Sequence, residues 1–134
     1  MKFTHPIHIH FDDCDPAGIM FFANTWDICH RVYENWLISL KNDYSFWFQN
    51  PEWIIPIVSS KCDFHKPLTP GSNIQVELSL QNIGNSSFTT HFLFKKDNVV
   101  TMDCTISHVF ADKKAFKKIT IPEDIKNLMQ KYLE

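Results

Sequence analysis

At 134 residues and a net charge of −2, the chain has room for one hydrophobic core and not two. It contains no long basic run, so nucleic acid and anionic membrane are excluded as main partners. Phe is abundant, with 12 residues against 3 Gly, as in an ordered, aromatic-rich chain and unlike a linker or disordered tail.

Cys14, Cys29, Cys62 and Cys104 lie far apart with no CxxC pair. Neither a zinc site nor a disulfide framework is expected, and three of them read as reduced core residues. Met1–Pro6 is not an apolar signal segment, and nothing approaches membrane-spanning length. A cytoplasmic protein without membrane contact is expected.

In chain order, Lys2–Phe11 predicts a first strand, with Ile7, Ile9 and Phe11 on one face. Asp12, Asp13, Asp15 and Pro16 break it, and Gly18 tolerates backbone angles that other residues resist. From Asn24 to Leu40 or Lys41 the period becomes helical. Phe22, Trp26, Cys29, Tyr33, Trp36 and Leu40 share one side, and Asp27, Arg31, Glu34 and Asn35 lie on another. Asn24 is a candidate cap with Asp27 as its partner. Lys41–Glu52 predicts a connection with a short helix around Tyr44, Phe46, Trp47 and Phe48.

Trp53–His65 reads as one strand, in which Pro56 marks an edge, a bulge or a start. Lys66–Ser72 is a turn. Ile74–Leu80 alternates cleanly. Gly84-Asn85-Ser86 turns into a strand carrying Phe88, Thr90, Phe92 and Phe94, and Lys95–Asn98 closes a hairpin to Val100–Phe110. Pro122 opens a terminal helix through Tyr132. The order gives an α+β class in a single domain, residues 1–134, with one antiparallel sheet covering one long helix.

Chemistry concentrates between the first strand and the helix. The first N–H groups of a helix lack partners of their own, and the positive end of the dipole lies behind them. Such amides hold a developing oxyanion. A nearby carboxylate attacks a carbonyl or takes a proton from water. On the acids alone, Asp12, Asp13 and Asp15 are turn and cap residues. Cys14 has no fixed base beside it, and flanking acids disfavour its thiolate. His5, His8 and His10 have no third partner at metal-binding spacing, and no metal is expected. His30 reads as structural or as a support behind the reacting groups, and His108 as a satisfied core histidine.

The run Asp13-Cys14-Asp15-Pro16-Ala17-Gly18-Ile19, with Ala23-Asn24 and a helix ending Tyr33-Glu34-Asn35-Trp36-Leu37, resembles the hotdog-fold thioesterases of the 4-hydroxybenzoyl-CoA thioesterase family. Pro56-Ile57-Val58 and Phe64–Leu80 share the likeness. His30, Tyr33 and Glu34 are also similar to members that hydrolyse 1,4-dihydroxy-2-naphthoyl-CoA. The resemblance implies a hotdog fold and a homodimer or homotetramer, with two sheets joined edge to edge and sites at the interface. It implies Asp15 as the catalytic carboxylate, by direct attack or as general base. The backbone N–H of Phe22, with Ala23, is the implied oxyanion holder. Gly18, Phe21, Trp47, Pro56 and Ile57 are the implied substrate contacts, and the aromatic connection at Trp47 serves as a core plug, an acyl-group wall, or both. The expected substrate is an aromatic acyl-CoA, with no cofactor beyond the CoA it carries. Aliphatic acyl-CoA hydrolysis, hydratase chemistry and a non-catalytic acyl-CoA-binding module are the alternatives. One departure is visible. The 4-hydroxybenzoyl-CoA enzyme carries basic residues for the nucleotide phosphates where this chain has Gly84-Asn85-Ser86. Lys61, Lys66, Lys95 and Lys96 are the candidate replacements.

Overall fold

A computed structural model describes residues 1–134. The strands are β1 (Phe3–His8), β2 (Trp53–Ile54), β3 (Ile57–Phe64), β4 (Asn73–Ile83), β5 (Ser87–Lys96), β6 (Val99–Val109) and β7 (Ala111–Asp112). The helices are α1 (Asn24–Leu40), α2 (Tyr44–Phe48) and α3 (Glu123–Gln130). Five strands form one antiparallel sheet in the order β1-β4-β5-β6-β3, and β2 pairs with β7 beside it.

Alternation decides which sheet face is covered. Ile74, Val76, Leu78 and Leu80 of β4 are buried, as are Phe88, Phe92 and Phe94 of β5 and Met102, Cys104 and Ile106 of β6. Their neighbours along each strand, Leu93 apart, are mostly polar and face the other way. Helix α1 lays Ile28, Cys29, Val32, Tyr33, Trp36 and Leu37 against this surface. Each large apolar side chain so buried stabilises the fold by roughly 1.5–3 kcal/mol. Helix α3 adds Ile125 and Met129, and the chain beyond it is tied to β4. Leu80 N–H donates to the Tyr132 carbonyl at 2.8 Å, and Glu134 N–H donates to the Leu80 carbonyl at 2.9 Å.

Several expectations shift. Ile7 and Ile9 are buried, but Phe11 lies in a single 3-10 turn, Phe11–Asp13, and is exposed. The buried stripe of α1 keeps Cys29, Tyr33 and Trp36 but replaces Phe22, Trp26 and Leu40 with Ile28, Val32 and Leu37. Asn24 is not the cap. It is the first helical residue, and its Nδ2 donates to the Asp13 carbonyl at 2.7 Å. The expected strand Trp53–His65 is split at Pro56, which lacks the N–H that pairing needs. Cys62 and Cys104 are directly opposed in β3 and β6 and joined as a disulfide. Their sequence separation of 42 residues hid that register. Cys14 and Cys29 remain free thiols.

Candidate active site

The segment before α1 is held as a tight, hydrogen-bonded turn. Cys14 and Met20 bridge as an antiparallel pair. Asp15 N–H donates to the Ile19 carbonyl at 3.0 Å, and Gly18 N–H donates to the Asp15 carbonyl at 2.9 Å. Closing this turn needs a left-handed residue, and Gly18 supplies it at φ 79°. The Asp15 side chain completes the turn, with Oδ1 accepting from Ala17 N–H at 2.9 Å. Its second oxygen has no hydrogen-bond partner in the chain. Phe21 N–H to the Asp13 carbonyl (2.9 Å) and Met20 N–H to the Leu68 carbonyl (2.7 Å) anchor the turn to its surroundings.

Two amides are left over at the start of α1. The N–H groups of Asn24, Thr25 and Trp26 donate to the carbonyls of Phe21, Phe22 and Ala23 in i to i−3 bonds. The N–H groups of Phe22 and Ala23 find no acceptor in the chain. They stand at the positive end of a 17-residue helix. Asp15 and Phe22 line one cavity of about 450 Å³, with Met20, Leu68 and Met102 as its floor and Phe64, His65 and Lys66 as its far wall. A residue with a free carboxylate oxygen and a residue with an acceptor-free amide therefore line the same cavity, the two groups that an electrophilic carbonyl needs.

This cavity is the first of three that step along a crease from the segment before α1, past β3, to α2 and β2. The next, about 220 Å³, steps four residues along every wall. Trp26 follows Phe22, Ser60 precedes Phe64 and Ile106 follows Met102, and Asp27, His30 and Ile57 complete it. The third, about 260 Å³, continues from His30 to Tyr33 and Leu37, under Trp47, Trp53 and Pro56. Trp47 is both core and wall. It is buried, its Nε1–H donates to the Lys41 carbonyl at 2.9 Å, and its ring meets Phe46 edge-on at 4.9 Å.

The structure thus brings together Asp15 and Phe22 at one end of the crease, Ile57 in the middle, and Trp47 with Pro56 at the other. Phe21 is at the surface, its ring 5.0 Å from that of Phe22. Gly18 sits at the outer tip of the turn. Among the candidate lysines, Lys95 is paired with Glu77 at 3.0 Å, Lys96 donates to Ser72 at 3.2 Å, and Lys61 lies 3.9 Å from Asp63. Lys66 is unpaired and borders the Asp15 cavity. His65, Lys66 and Met102 were missed as wall residues because they reach the site only through folding. His30, for which a structural or a supporting role is expected, borders two of the cavities. Burial, with the carboxylates of Asp13, Asp15 and Asp12, pushes the Cys14 thiol up, away from nucleophilic thiolate. His108 is buried behind Tyr33, stacked on it at 4.6 Å and on Phe88 at 4.7 Å.

An antiparallel sheet wrapped about one long helix, with a tight aspartate turn leading into that helix, defines a protein of the hotdog type. The chain belongs to the thioesterase-like superfamily, whose model matches residues 9–129. A 1,4-dihydroxy-2-naphthoyl-CoA hydrolase from Nostoc punctiforme is 32% identical over 125 residues, covering 93% of this chain and 84% of that protein. The enzyme of the same name from Crocosphaera subtropica is 32% identical over 121 residues, covering 88% of each. Among solved structures, a 1,4-dihydroxy-2-naphthoyl-CoA thioesterase from Synechocystis superposes with a TM-score of 0.89 at 21% identity, over 97% of this chain and 96% of that one. A gentisyl-coenzyme A thioesterase superposes with a TM-score of 0.83 at 22% identity, over 94% and 98%. No helix is long and apolar enough to cross a membrane.

Proposed function

We propose that this protein is a thioesterase that hydrolyses aromatic acyl-CoA, of the class named in its 1,4-dihydroxy-2-naphthoyl-CoA hydrolase relatives. The observation that carries this reading is that Asp15, which has one uncommitted carboxylate oxygen, and Phe22, whose N–H has no acceptor, line one cavity. The thioester carbonyl oxygen sits on the amides of Phe22 and Ala23, which strengthen their hold as charge develops. Asp15 then acts by one of two routes. Direct attack displaces CoA thiolate and leaves a mixed anhydride for water to open. General-base action removes a proton from water, which attacks in its place. Both routes yield the carboxylic acid and CoA thiol, and neither requires a metal. The apolar crease takes the acyl group, with Ile57, Pro56 and Trp47 along it.

The reading extends to a single-domain cytoplasmic enzyme that works as a homo-oligomer, at least a dimer. Support for the dimer comes from β3, which pairs only with β6 and exposes Ile57, Val58 and Phe64 along an open edge. The testing experiment measures free-thiol release from aromatic and aliphatic acyl-CoAs. Turnover that favours aryl-CoAs is expected. Tight acyl-CoA binding with no thiol release would instead make the protein a binding module.

A further inference from the structure

Positive charge is most concentrated far in sequence from Asp15, in the turn that follows β7. Asp112–Lys118 reads Asp-Lys-Lys-Ala-Phe-Lys-Lys. Its four lysines and one acid set these seven residues at +3, so the rest of a chain of net charge −2 carries −5. The acid is engaged inside the turn, where Asp112 Oδ2 accepts from the N–H groups of Lys114 at 3.0 Å and Ala115 at 2.7 Å. Phe116 N–H donates to the Asp112 carbonyl at 2.9 Å, and Asp112 N–H donates to the Lys117 carbonyl at 2.8 Å. The turn is thus pinned by its own backbone. Lys113, Lys114, Lys117 and Lys118 are exposed, and none is in a salt bridge. Between the two lysine pairs stands Phe116, 75% exposed and at φ 55°. A left-handed backbone is unfavourable for a bulky side chain, and asparagine or glycine would hold this turn with less strain. A strained, solvated aromatic framed by cations asks for a partner.

We propose that the Lys113–Lys118 turn is a docking tip for an anionic lipid surface, with Phe116 entering the boundary between headgroups and acyl chains and the lysines meeting lipid phosphates. Cations around a protruding aromatic match both layers of such a surface, which is negative outside and apolar beneath. A protein partner fits less well. A specific interface covers about 800 Å² on each side, and a single protruding turn offers a fraction of that. Nucleic acid also fits less well, because contact that spreads beyond the tip brings its phosphates against the negative remainder of the chain. At physiological salt, charge acts over about 8 Å, so a surface touched only at the tip meets chiefly the lysines. Attachment through four cations and one ring is weak and reversible. It gives peripheral contact to a chain expected to have none, an expectation drawn from the lack of a spanning segment and of a long basic run.

The test sediments the full chain with vesicles of phosphatidylglycerol and phosphatidylcholine in equal parts, or of phosphatidylcholine alone. Wild type should bind the first and not the second, and should release at about 1 M salt, where the screening length is about 3 Å. Lys114→Gln/Lys117→Gln/Lys118→Gln should weaken binding about 10-fold or more. Lys113, which borders the third cavity of the crease, is left intact. Phe116→Asn, which suits the left-handed backbone, should weaken binding about 5-fold or more. Thiol release and melting temperature should be unchanged in both variants. Wild type that stays in solution with the anionic vesicles overturns the proposal, whatever its thioesterase activity. So does Phe116→Asn that binds as tightly as wild type, since the turn would then act as diffuse charge alone. A raised KM for acyl-CoA in the lysine variant, with vesicle binding intact, would assign the turn to CoA phosphates. Retention on immobilised polyglutamate without vesicle binding would assign it to an acidic protein. Either result overturns the lipid surface as its partner.

Discussion

The Asp15 carboxylate and the Ala17 amide, 2.9 Å apart, divide the carboxylate between structure and chemistry. Oδ1 closes the turn, and the other oxygen is uncommitted, on a residue that lines the same cavity as Phe22. Asparagine keeps the first role, since its side-chain carbonyl still accepts from Ala17, and it loses the second. Asp15→Asn should therefore fold with an unchanged melting temperature and still bind acyl-CoA. Thiol release should drop at least about 100-fold. Equal turnover in both proteins would move the reacting carboxylate elsewhere.

The turn at Asp15 was legible through locality. Asp15, Gly18 and the start of α1 lie within a dozen residues, so a local run encodes that turn, whereas the role of Asp15 comes from the resemblance and not from the spacing. The strands β4, β5 and β6 were equally legible, because each alternates against a single covered face. The buried stripe of α1 was only partly so. Aromatics at Phe22 and Trp26 drew the apolar face toward the crease, whereas packing on the sheet rests on Ile28 and Val32. The register that joins Cys62 to Cys104 and the wall formed by His65 and Lys66 are tertiary facts. No spacing within one segment encodes them. Tyr33 was visible as a core residue, but its unmet hydroxyl is a property of the packed interior alone.

The open edge of β3 gives a prediction about assembly. Val58 is 61% exposed on a strand with one unpaired side, an arrangement that proteins normally cover or charge. In sedimentation, wild type should run at no less than twice the 15.8 kDa chain mass. Val58→Lys should shift the population toward monomer and lower thiol release with it. A wild-type protein that sediments as a monomer at all concentrations would remove the dimer from the proposal.

On the outer sheet face, His91 lies between two carboxylates. Its Nε2 is 2.7 Å from Asp103 Oδ1, its Nδ1 meets Glu134, and Glu134 also accepts from Ser79 at 2.7 Å. A neutral imidazole has one N–H, so bonding to both acids needs the imidazolium. Burial pulls His91 down, but the bonds to Glu134 and Asp103 outweigh it and hold the imidazole above its ordinary 6.5. Burial raises Glu134, yet its bonds to His91 and Ser79 leave it below its ordinary 4.5. The His91 contribution is complete below pH 6.5 and is lost as pH rises through its folded value. The Glu134 contribution is complete above pH 4.5 and is lost as pH falls through its folded value. The clasp is therefore strongest between those limits. Urea midpoints for wild type and His91→Gln should differ most near pH 5.5 and converge at high pH. A difference that is constant across pH would mean that the imidazole holds its proton no more tightly in the fold than in the unfolded chain.

His108 works in the opposite sense. Thr90 Oγ1 donates to the Ile106 carbonyl at 3.1 Å, so its lone pair accepts from His108 Nε2, also at 3.1 Å. That fixes the neutral tautomer with Nδ1 bare and unpaired. Burial, helped by the charge of His30, pushes His108 down to about 3. The unfolded chain takes up a proton near pH 6.5 that the folded chain refuses. Stability from this residue is thus complete above 6.5 and falls by about 1.4 kcal/mol per pH unit below it. Phenylalanine keeps the stack with Tyr33 and Phe88 but cannot be protonated. Between pH 7 and pH 5, His108→Phe should lose about 2 kcal/mol less unfolding free energy than wild type. Each value comes from urea titration, and taking the difference cancels the opposing His91 contribution. Identical losses in the two proteins would show that the folded chain protonates His108 as readily as the unfolded one.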